Sequence, residues 1–262
     1  MDNANIGTYI AYKKDGTKYY RASITFKNKH ISLGSYDDIN SANSAYKEAK
    51  EILYDHTYTI DNYDANHILP FKKYIIIINY RDNNIYFSAP IYIRKKFFFY
   101  YLTPEIRLTF DRDDLFYYSN KSILKRGNHI FVTDYGMQLN ILNRYNIHSH
   151  SLLGRDYEFI NNDHYDYRYE NIRIINKFVG VQKINRGNKT IYKTCILAPY
   201  NRVVGYYKSE IEAAIAYNKA ADTLIKKGIR KNYTINFIDE ISNKDYAHIY
   251  SEINIFKTCN KK

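Results

Sequence analysis

The sequence contains no tryptophan and only two cysteines, Cys195 and Cys259, in 262 residues. Two thiols can neither staple a small disulfide scaffold nor furnish a cysteine-based zinc finger, and a reducing compartment is the natural reading. Long apolar runs are also missing. The most hydrophobic stretch, Tyr74-Ile75-Ile76-Ile77-Ile78, is far shorter than the roughly 20 residues that cross a bilayer, and it reads as a buried strand. The start, Met1-Asp2-Asn3-Ala4, has no charged segment leading into an apolar one, so no secretory signal is expected. No membrane partner is expected either.

What is present is ordinary in bulk and uneven in placement. Hydrophobic residues make up 45% and charged residues 25%, and the length admits one large domain or two to three small ones. The 31 tyrosines, with abundant Ile, Asn and Lys, are of the types that A/T-rich codons encode, and such a bias alone could inflate Lys and with it the net charge of +12. Placement is therefore more telling than the total. Residues 1–60 carry 8 basic and 7 acidic side chains, residues 61–176 carry 15 and 13, and residues 177–262 carry 16 and 7. Codon bias acts evenly along a chain, so a net +9 in the last third predicts a surface for a polyanion.

The two ends repeat one another. Gly7 is followed by a Lys-rich turn, Tyr20-Arg21-Ala22-Ser23-Ile24, Ile31-Ser32-Leu33-Gly34-Ser35-Tyr36, then Ala42, Ala45, Tyr46 and Ala49. Gly180 is followed by a Lys/Arg-rich turn, Tyr192-Lys193-Thr194-Cys195-Ile196, Val203-Val204-Gly205-Tyr206-Tyr207, then Ala213, Ala216, Tyr217 and Ala220. Each copy predicts three short strands separated by polar turns and then one helix. In the second copy Ser209-x-x-Glu212 predicts a capping box, with the Ser209 hydroxyl accepting an amide and Glu212 returning the bond. Ala213, Ala216, Tyr217, Ala220 and Leu224 fall on one face of that helix, and Gly228 is placed to end it.

This pattern resembles the apetala-two/ethylene-response-factor DNA-binding family. The resemblance is carried by Gly180-Val181, Tyr192-x-x-x-Ile196, Val204-Gly205-x-Tyr207, Ala213-Ala214-x-Ala216-Tyr217-x-x-Ala220-Ala221 and Asn236-Phe237. The first copy keeps Gly7, Arg21-Ala22-x-Ile24 and Leu33-Gly34-x-Tyr36. It implies a sheet lying in the major groove, with side chains on the outer face reaching bases and phosphates. Carried over by position, the implied contacts in the second copy are Lys183, Arg186, Lys189, Tyr192, Lys193 and Arg202. In the first copy they are Lys13, Lys14, Lys18, Tyr20, Arg21, Lys27 and Lys29. Both copies have Tyr where the family has a strand-two Trp, and Lys outnumbers Arg, which suits phosphate contacts better than bidentate base reading.

The centre carries a second resemblance. Tyr157-Glu158-Phe159-Ile160-Asn161-Asn162-Asp163, followed by Asp166-Tyr167-Arg168-Tyr169-Glu170-Asn171-Ile172-Arg173-Ile174, is similar to the core of HNH endonucleases, with Leu142-Asn143-Arg144-Tyr145 in the place of an upstream Leu-His-Arg-Leu segment. HNH cores joined to this DNA-binding module are a familiar pair in mobile-element and phage nucleases. HNH chemistry needs a His to activate water, and Phe159 stands at that position. Glu158 stands for the metal-site Asp and Tyr167 for the middle Asn. A phenyl ring cannot take a proton, so no catalytic residue, metal or cofactor is expected. His148-Ser149-His150 and Asp163-His164 read as surface or satisfied histidines. The segment reads as scaffold, with Ile160, Ile172 and Ile174 as apolar anchors, Asn161, Asp163 and Asp166 making turns, and Asn171 capping the turn into the next strand.

Elsewhere, strands are expected over 74–79, 85–92, 96–101 and 129–133, with Arg81-Asp82-Asn83-Asn84 a turn. The run Phe97-Phe98-Phe99-Tyr100-Tyr101 is apolar on both faces and is expected to be covered on both. A last helix is expected over 239–253, followed by a basic end at Lys257, Lys261 and Lys262. The expectation is an α+β chain: sheet-plus-helix modules over 1–60 and 177–262, flanking a β-rich, HNH-like α+β centre over 61–176. The functions implied are a non-catalytic DNA-binding regulator in the nucleus or an RNA-bound structural subunit of an organellar (mitochondrial) ribosome. A weak HNH nickase is the third. The nearly neutral first module is a candidate for protein contacts.

Overall fold

The computed structural model describes residues 6–198, 200–229 and 231–256. It is an α+β structure, whose described strands form antiparallel sheets of two or three strands accompanied by helices. The chain divides into two compact units, Met1–Ile141 with Asp163–Asn171, and Leu142–Asn162 with Ile172–Lys262.

The first unit opens with β1 (Thr8–Tyr12), β2 (Lys18–Phe26) and β3 (Lys29–Tyr36), hydrogen-bonded in that order, and α1 (Ile39–Tyr54). The β2–β3 hairpin turns through Lys27 and Asn28, both with positive φ (45° and 63°), as a two-residue hairpin of this twist requires. Asp38 caps α1 by accepting from the Ser41 amide at 2.8 Å. Ala42, Ala45 and Ala49 are fully buried and let the helix lie close to the sheet, over Ala22, Ile24, Ile31 and Leu33.

The expected strand at 74–79 is instead part of a helix, α2 (Phe71–Asn83). Tyr74 to Ile78 are all buried, and a helix that is apolar all round loses the 3.6-residue period, leaving only its β-branched composition to be read. The ends carry the helix signal. Lys73 and Tyr74 donate to the Pro70 carbonyl, and Asn84 closes the other end in the left-handed region at φ 58°. The expected turn at 81–84 is thus the last helical turn and its cap. The expected strand at 85–92 shrinks to β4 (Ile91–Ile93), tied to α2 by buried Asn79, which accepts from the Ile93 amide and donates to the Ile85 carbonyl. Arg81 is also buried. Its guanidinium donates to the carbonyls of Ile52, Asp55 and Tyr58, each at 2.9 Å, and so closes the C-terminal end of α1.

β4 pairs with β5 (Phe97–Tyr101), and β5 with β6 (Arg107–Asp111). Phe98 to Tyr101 are buried and Phe97 half-buried, so the aromatic run is covered on both faces as expected. After the short α3 (Leu115–Tyr118) comes a meander of β7 (Ser122–Arg126), β8 (His129–Asp134) and β9 (Met137–Asn140). Phe110 stacks on Phe98, on Tyr118 at 4.2 Å and on Tyr167 at 5.6 Å.

The second unit contains a short hairpin of β10 (Tyr157–Phe159) and β11 (Ile172–Ile174). Of the aliphatic anchors expected there, Ile172 is half-buried, but Ile160 is 57% exposed and Ile174 is 41% exposed. Tyr157 and Phe159 fill the buried face instead, edge to face at 5.9 Å, and two rings leave little room on strands of three residues. The turns behave as expected: Asp163 accepts from the Tyr165 amide, and Asn171 donates to the Asp166 carbonyl at 2.8 Å.

Next come β12 (Val181–Arg186), β13 (Lys189–Leu197), β14 (Asn201–Tyr207), α4 (Glu210–Lys226) and α5 (Asn243–Glu252). The expected alanine face of α4 is buried, and Gly228 (φ +85°) ends the helix in a Schellman arrangement: Ile229 N–H donates to Leu224 and Gly228 N–H to Ile225. The capping box does not form. Ser209 holds the N-cap backbone position, but its hydroxyl makes no cap bond, and Glu210 and Glu212 supply first-turn charge that suits the helix dipole. α5 lies within the expected last helix and is shorter; Lys257, Lys261 and Lys262 lie outside the described residues.

The two end modules repeat in backbone detail. In each, the second and third strands slip by one residue at the same place, after Ala22↔Gly34 and after Thr194↔Gly205. In each, the glycine before the first strand accepts from the second, Gly7 from Ser23 N–H and Gly180 from Cys195 N–H, both at 2.8 Å. Gly180 has φ +74°, and a Cβ there would sit 2.4 Å from the Tyr217 ring and from the Cys195 carbonyl; Gly7 stands in the same relation to Tyr46 and Ser23. Gly180→Ala is therefore expected to cost about 3 kcal/mol through forced φ and overpacking. Gly16→Ala, with φ +83° and open space around it, should cost about 1 kcal/mol. Equal shifts of the two variants in chemical denaturation would refute this account.

Candidate nucleic-acid interface

Residues directly opposite in an antiparallel pair share a face, so the register assigns each basic candidate to a side of its sheet. In the C-terminal module Arg186 lies opposite Lys189, and Lys193 opposite both Gln182 and Tyr206. These make the outer face, and the Arg186 guanidinium lies 5.9 Å from the Tyr206 ring. Tyr192 is on the other side. It packs with Val181, Ala213 and Ala214 against the helix, and Lys183 lies opposite it. Arg202 pairs with buried Ile196 and reaches out to Tyr200, whose hydroxyl accepts from it at 3.2 Å. The strand-two tyrosine expected on the outer face is half-buried on the helix side.

The N-terminal module has the same geometry with fewer cations. Arg21, opposite Tyr9 and Ser35, is the one basic candidate that the register places on its outer face, 5.6 Å from the Tyr9 ring. Tyr20 packs into the helix-side core, with Lys18 over its ring at 5.1 Å. Lys13 and Lys14 stand exposed in the β1–β2 turn. The hairpin lysines are engaged by the chain itself: Lys27 donates to the Asn84 side chain, Lys29 sits 4.6 Å over the Tyr86 ring, and the Tyr80 hydroxyl donates to the Lys27 carbonyl.

Between Glu170 and Glu210 the sequence has no acidic residue, and that interval contains the whole C-terminal sheet with Arg173, Lys177, Lys183, Arg186, Lys189, Lys193, Arg202 and Lys208. Nothing on the sheet itself offsets its positive charge. This gap is a linear signal, visible without a structure. Tyr200 (64% exposed) and Tyr206 (49% exposed) are the aromatic side chains the family pattern did not single out, each beside an arginine.

The outer face is not bare along its whole length. Residues 148–156 stand beside it and leave a cleft of about 580 Å³ whose sheet wall includes Lys193, Cys195, Leu197 and Asn201. Asp156 holds this wall in place. Its carboxylate accepts from Arg155, from the Leu152 amide and from Asn176, whose own side-chain oxygen accepts from the Lys183 amide of β12. Burial opposes the charged form of Asp156, but those donors outweigh it and hold its carboxyl below the usual carboxylate range. Burial pushes the Cys195 thiol up, and burial with the neighbouring His150 pushes the His148 imidazole down, so both are uncharged at neutral pH.

At the HNH-like positions the side chains serve the hairpin and its connection. Phe159 is buried, Glu158 pairs with Arg173, Tyr167 stacks on Phe110, and Asn171 bonds turn carbonyls. Among the described residues no three His, Cys, Asp or Glu side chains cluster to hold a metal, and no helix is long and apolar enough to cross a membrane.

A carboxyl whose folded pKa lies below its unfolded value stabilises the fold above the unfolded value, about 3.9, and the contribution is lost as pH falls through the lower folded pKa. Acid unfolding of the second unit should therefore steepen below about pH 4. Asp156→Asn should lower stability at neutral pH and remove that part of the acid dependence, read from denaturation midpoints across pH; an unchanged profile would exclude Asp156 as the clasp. Compared with protein-family models, curated proteins and solved structures, the chain matches none.

Proposed function

We propose that the chain is a non-catalytic nucleic-acid-binding protein, a regulator that engages duplex DNA through the outer face of its C-terminal sheet. The observation that carries this reading is the acid-free interval from Asn171 to Ser209, which gives that face Arg186, Lys189 and Lys193 with no opposing charge on the sheet. Lysine and arginine in such a row suit phosphate oxygens, and counterion release supplies the affinity. The N-terminal module, with Arg21 on its outer face and its hairpin lysines engaged, fits protein contacts better than a second phosphate track. The non-catalytic reading rests on Phe159 at the general-base position.

A second reading is an RNA-bound structural subunit of an organellar ribosome. Exposed Tyr200 and Tyr206, each beside an arginine, favour it, since unpaired bases stack on such surfaces. The DNA reading expects residence in the nucleus and the ribosomal one in the mitochondrion. Crosslinking in cells with sequencing of the bound polymer separates them.

Binding of duplex DNA should weaken steeply with salt. Replacing Arg186, Lys189 and Lys193 together by Gln should lower the slope of log K against log salt by about three, roughly one for each phosphate no longer neutralised. Arg21→Gln should leave it nearly unchanged. Affinity indifferent to salt would defeat the proposal.

A further inference from the structure

The cleft beside the C-terminal sheet has the composition of a ligand site. Its volume, about 580 Å³, is within the usual range for small-molecule pockets. Lys193 lines it from the sheet, Arg155 from residues 148–156, and Lys231 from the segment after α4, where its ammonium donates to the Leu197 carbonyl at 3.3 Å beside the Tyr233 ring. The acidic residue among its lining groups is Asp156, and Arg155 and two amide donors already satisfy that carboxylate. The lysines are thus left to define the sign of the cleft. Exposed Leu197 and half-buried Tyr233 supply its accessible apolar and aromatic wall, over the buried side chains of Phe178, Val181 and Tyr217, while Gln182, Asn201 and Asn232 offer side-chain amides that can both donate and accept. Lysines, an accessible tyrosine ring and amide donors and acceptors in one cleft suit a planar, hydrogen-bonding ring attached to a phosphate.

We propose that this cleft binds a nucleotide, its phosphate held by Lys231 and Lys193 and its base against Tyr233. The inference deepens the nucleic-acid reading and rests on it for one of its two sources: an unpaired nucleotide of a strand lying on the sheet. The other source is a free mononucleotide. Arg186 and Lys189 are not among the cleft's lining residues, so the two surfaces are separable by substitution.

The test is calorimetric titration of the full chain with adenosine and uridine monophosphates, inorganic phosphate, and a short single-stranded oligonucleotide. Mononucleotide binding is expected. Lys231→Gln, at an exposed position, and Ser151→Glu, which places a negative charge at the cleft, should each weaken it about tenfold, the worth of one charged contact. Arg186→Gln should leave mononucleotide binding unchanged and weaken the oligonucleotide. Competition between mononucleotide and oligonucleotide assigns the cleft to a nucleotide of the strand, and independent binding assigns it to a free one. Absence of mononucleotide binding, insensitivity to both cleft variants, or phosphate binding as tightly as the nucleotides would overturn the proposal. If mononucleotides fail while the oligonucleotide still binds through Arg186, the cleft is wrong and the sheet reading stands. If neither the oligonucleotide nor duplex DNA binds while mononucleotides bind in a Lys231-dependent way, the sheet reading is wrong and the cleft stands.

Discussion

A glycine carbonyl and a tyrosine ring set the geometry of each end module. Gly7 and Gly180 have no side chain, so Tyr46 of α1 and Tyr217 of α4 lie against the backbone where each first strand begins. The same glycines accept the amide that follows the strand slip, from Ser23 and from Cys195. Helix, first strand and second strand are thereby locked at a fixed spacing, and the buried alanines of both helices are what that spacing permits. Once β13 is so placed, its alternation is no longer free. Tyr192, Thr194 and Ile196 must face the helix, and Lys193 must face outward. The charge presented by the sheet follows from a packing constraint on the opposite side.

The modules then diverge in what is built around them. In the first, α2 supplies Arg81 to the end of α1 and Tyr80 to the β2–β3 hairpin, and it draws Lys27 and Lys29 into internal contacts. In the second, Asn236 grips Val179 by both its N–H and its carbonyl and is itself held by Asn218 of α4, which fixes the entry to the first strand. The hairpin cations of that module, Arg186 and Lys189, stay exposed on the outer side. One backbone plan thus carries two different surfaces, and the difference lies in the neighbouring segments more than in the repeat.

Much of the repeat is legible because its signals are local: glycine before a strand, alanines at helical spacing, Gly228 after a helix. The features that mislead a linear reading depend on contacts remote in sequence. The isoleucines of α2 read as a strand because burial on every side erases periodicity, and the caps at Pro70 and Asn84 are the better evidence. Resemblance to a family with Trp at that position puts the strand-two tyrosines outside, whereas their neighbours Ala22 and Thr194, two residues on, are buried toward the helix and fix their side. Ile160 and Ile174 read as anchors on hydrophobicity alone, while the hairpin buries Tyr157 and Phe159. The cleft is invisible in the linear sequence, since it brings residues near 150, 195 and 231 together.

The cleft also bears on how a polymer could lie on the sheet. A duplex needs a broad, open face, and the wall at 148–156 borders the part of the outer face nearest Cys195 and Leu197. The end carrying Arg186 and Lys189 is outside that border, and there the row continues to Tyr206. A backbone tracking those cations would run toward Lys193, which belongs to both the outer face and the cleft. Stacked base pairs would have to stop at the wall, whereas a single strand could continue past Lys193 and turn a base inward. Under the proposed function, Lys193 therefore ties the choice between duplex and unpaired strand to the Asp156 clasp, because Asp156 and Asn176 connect the wall to the sheet's first strand.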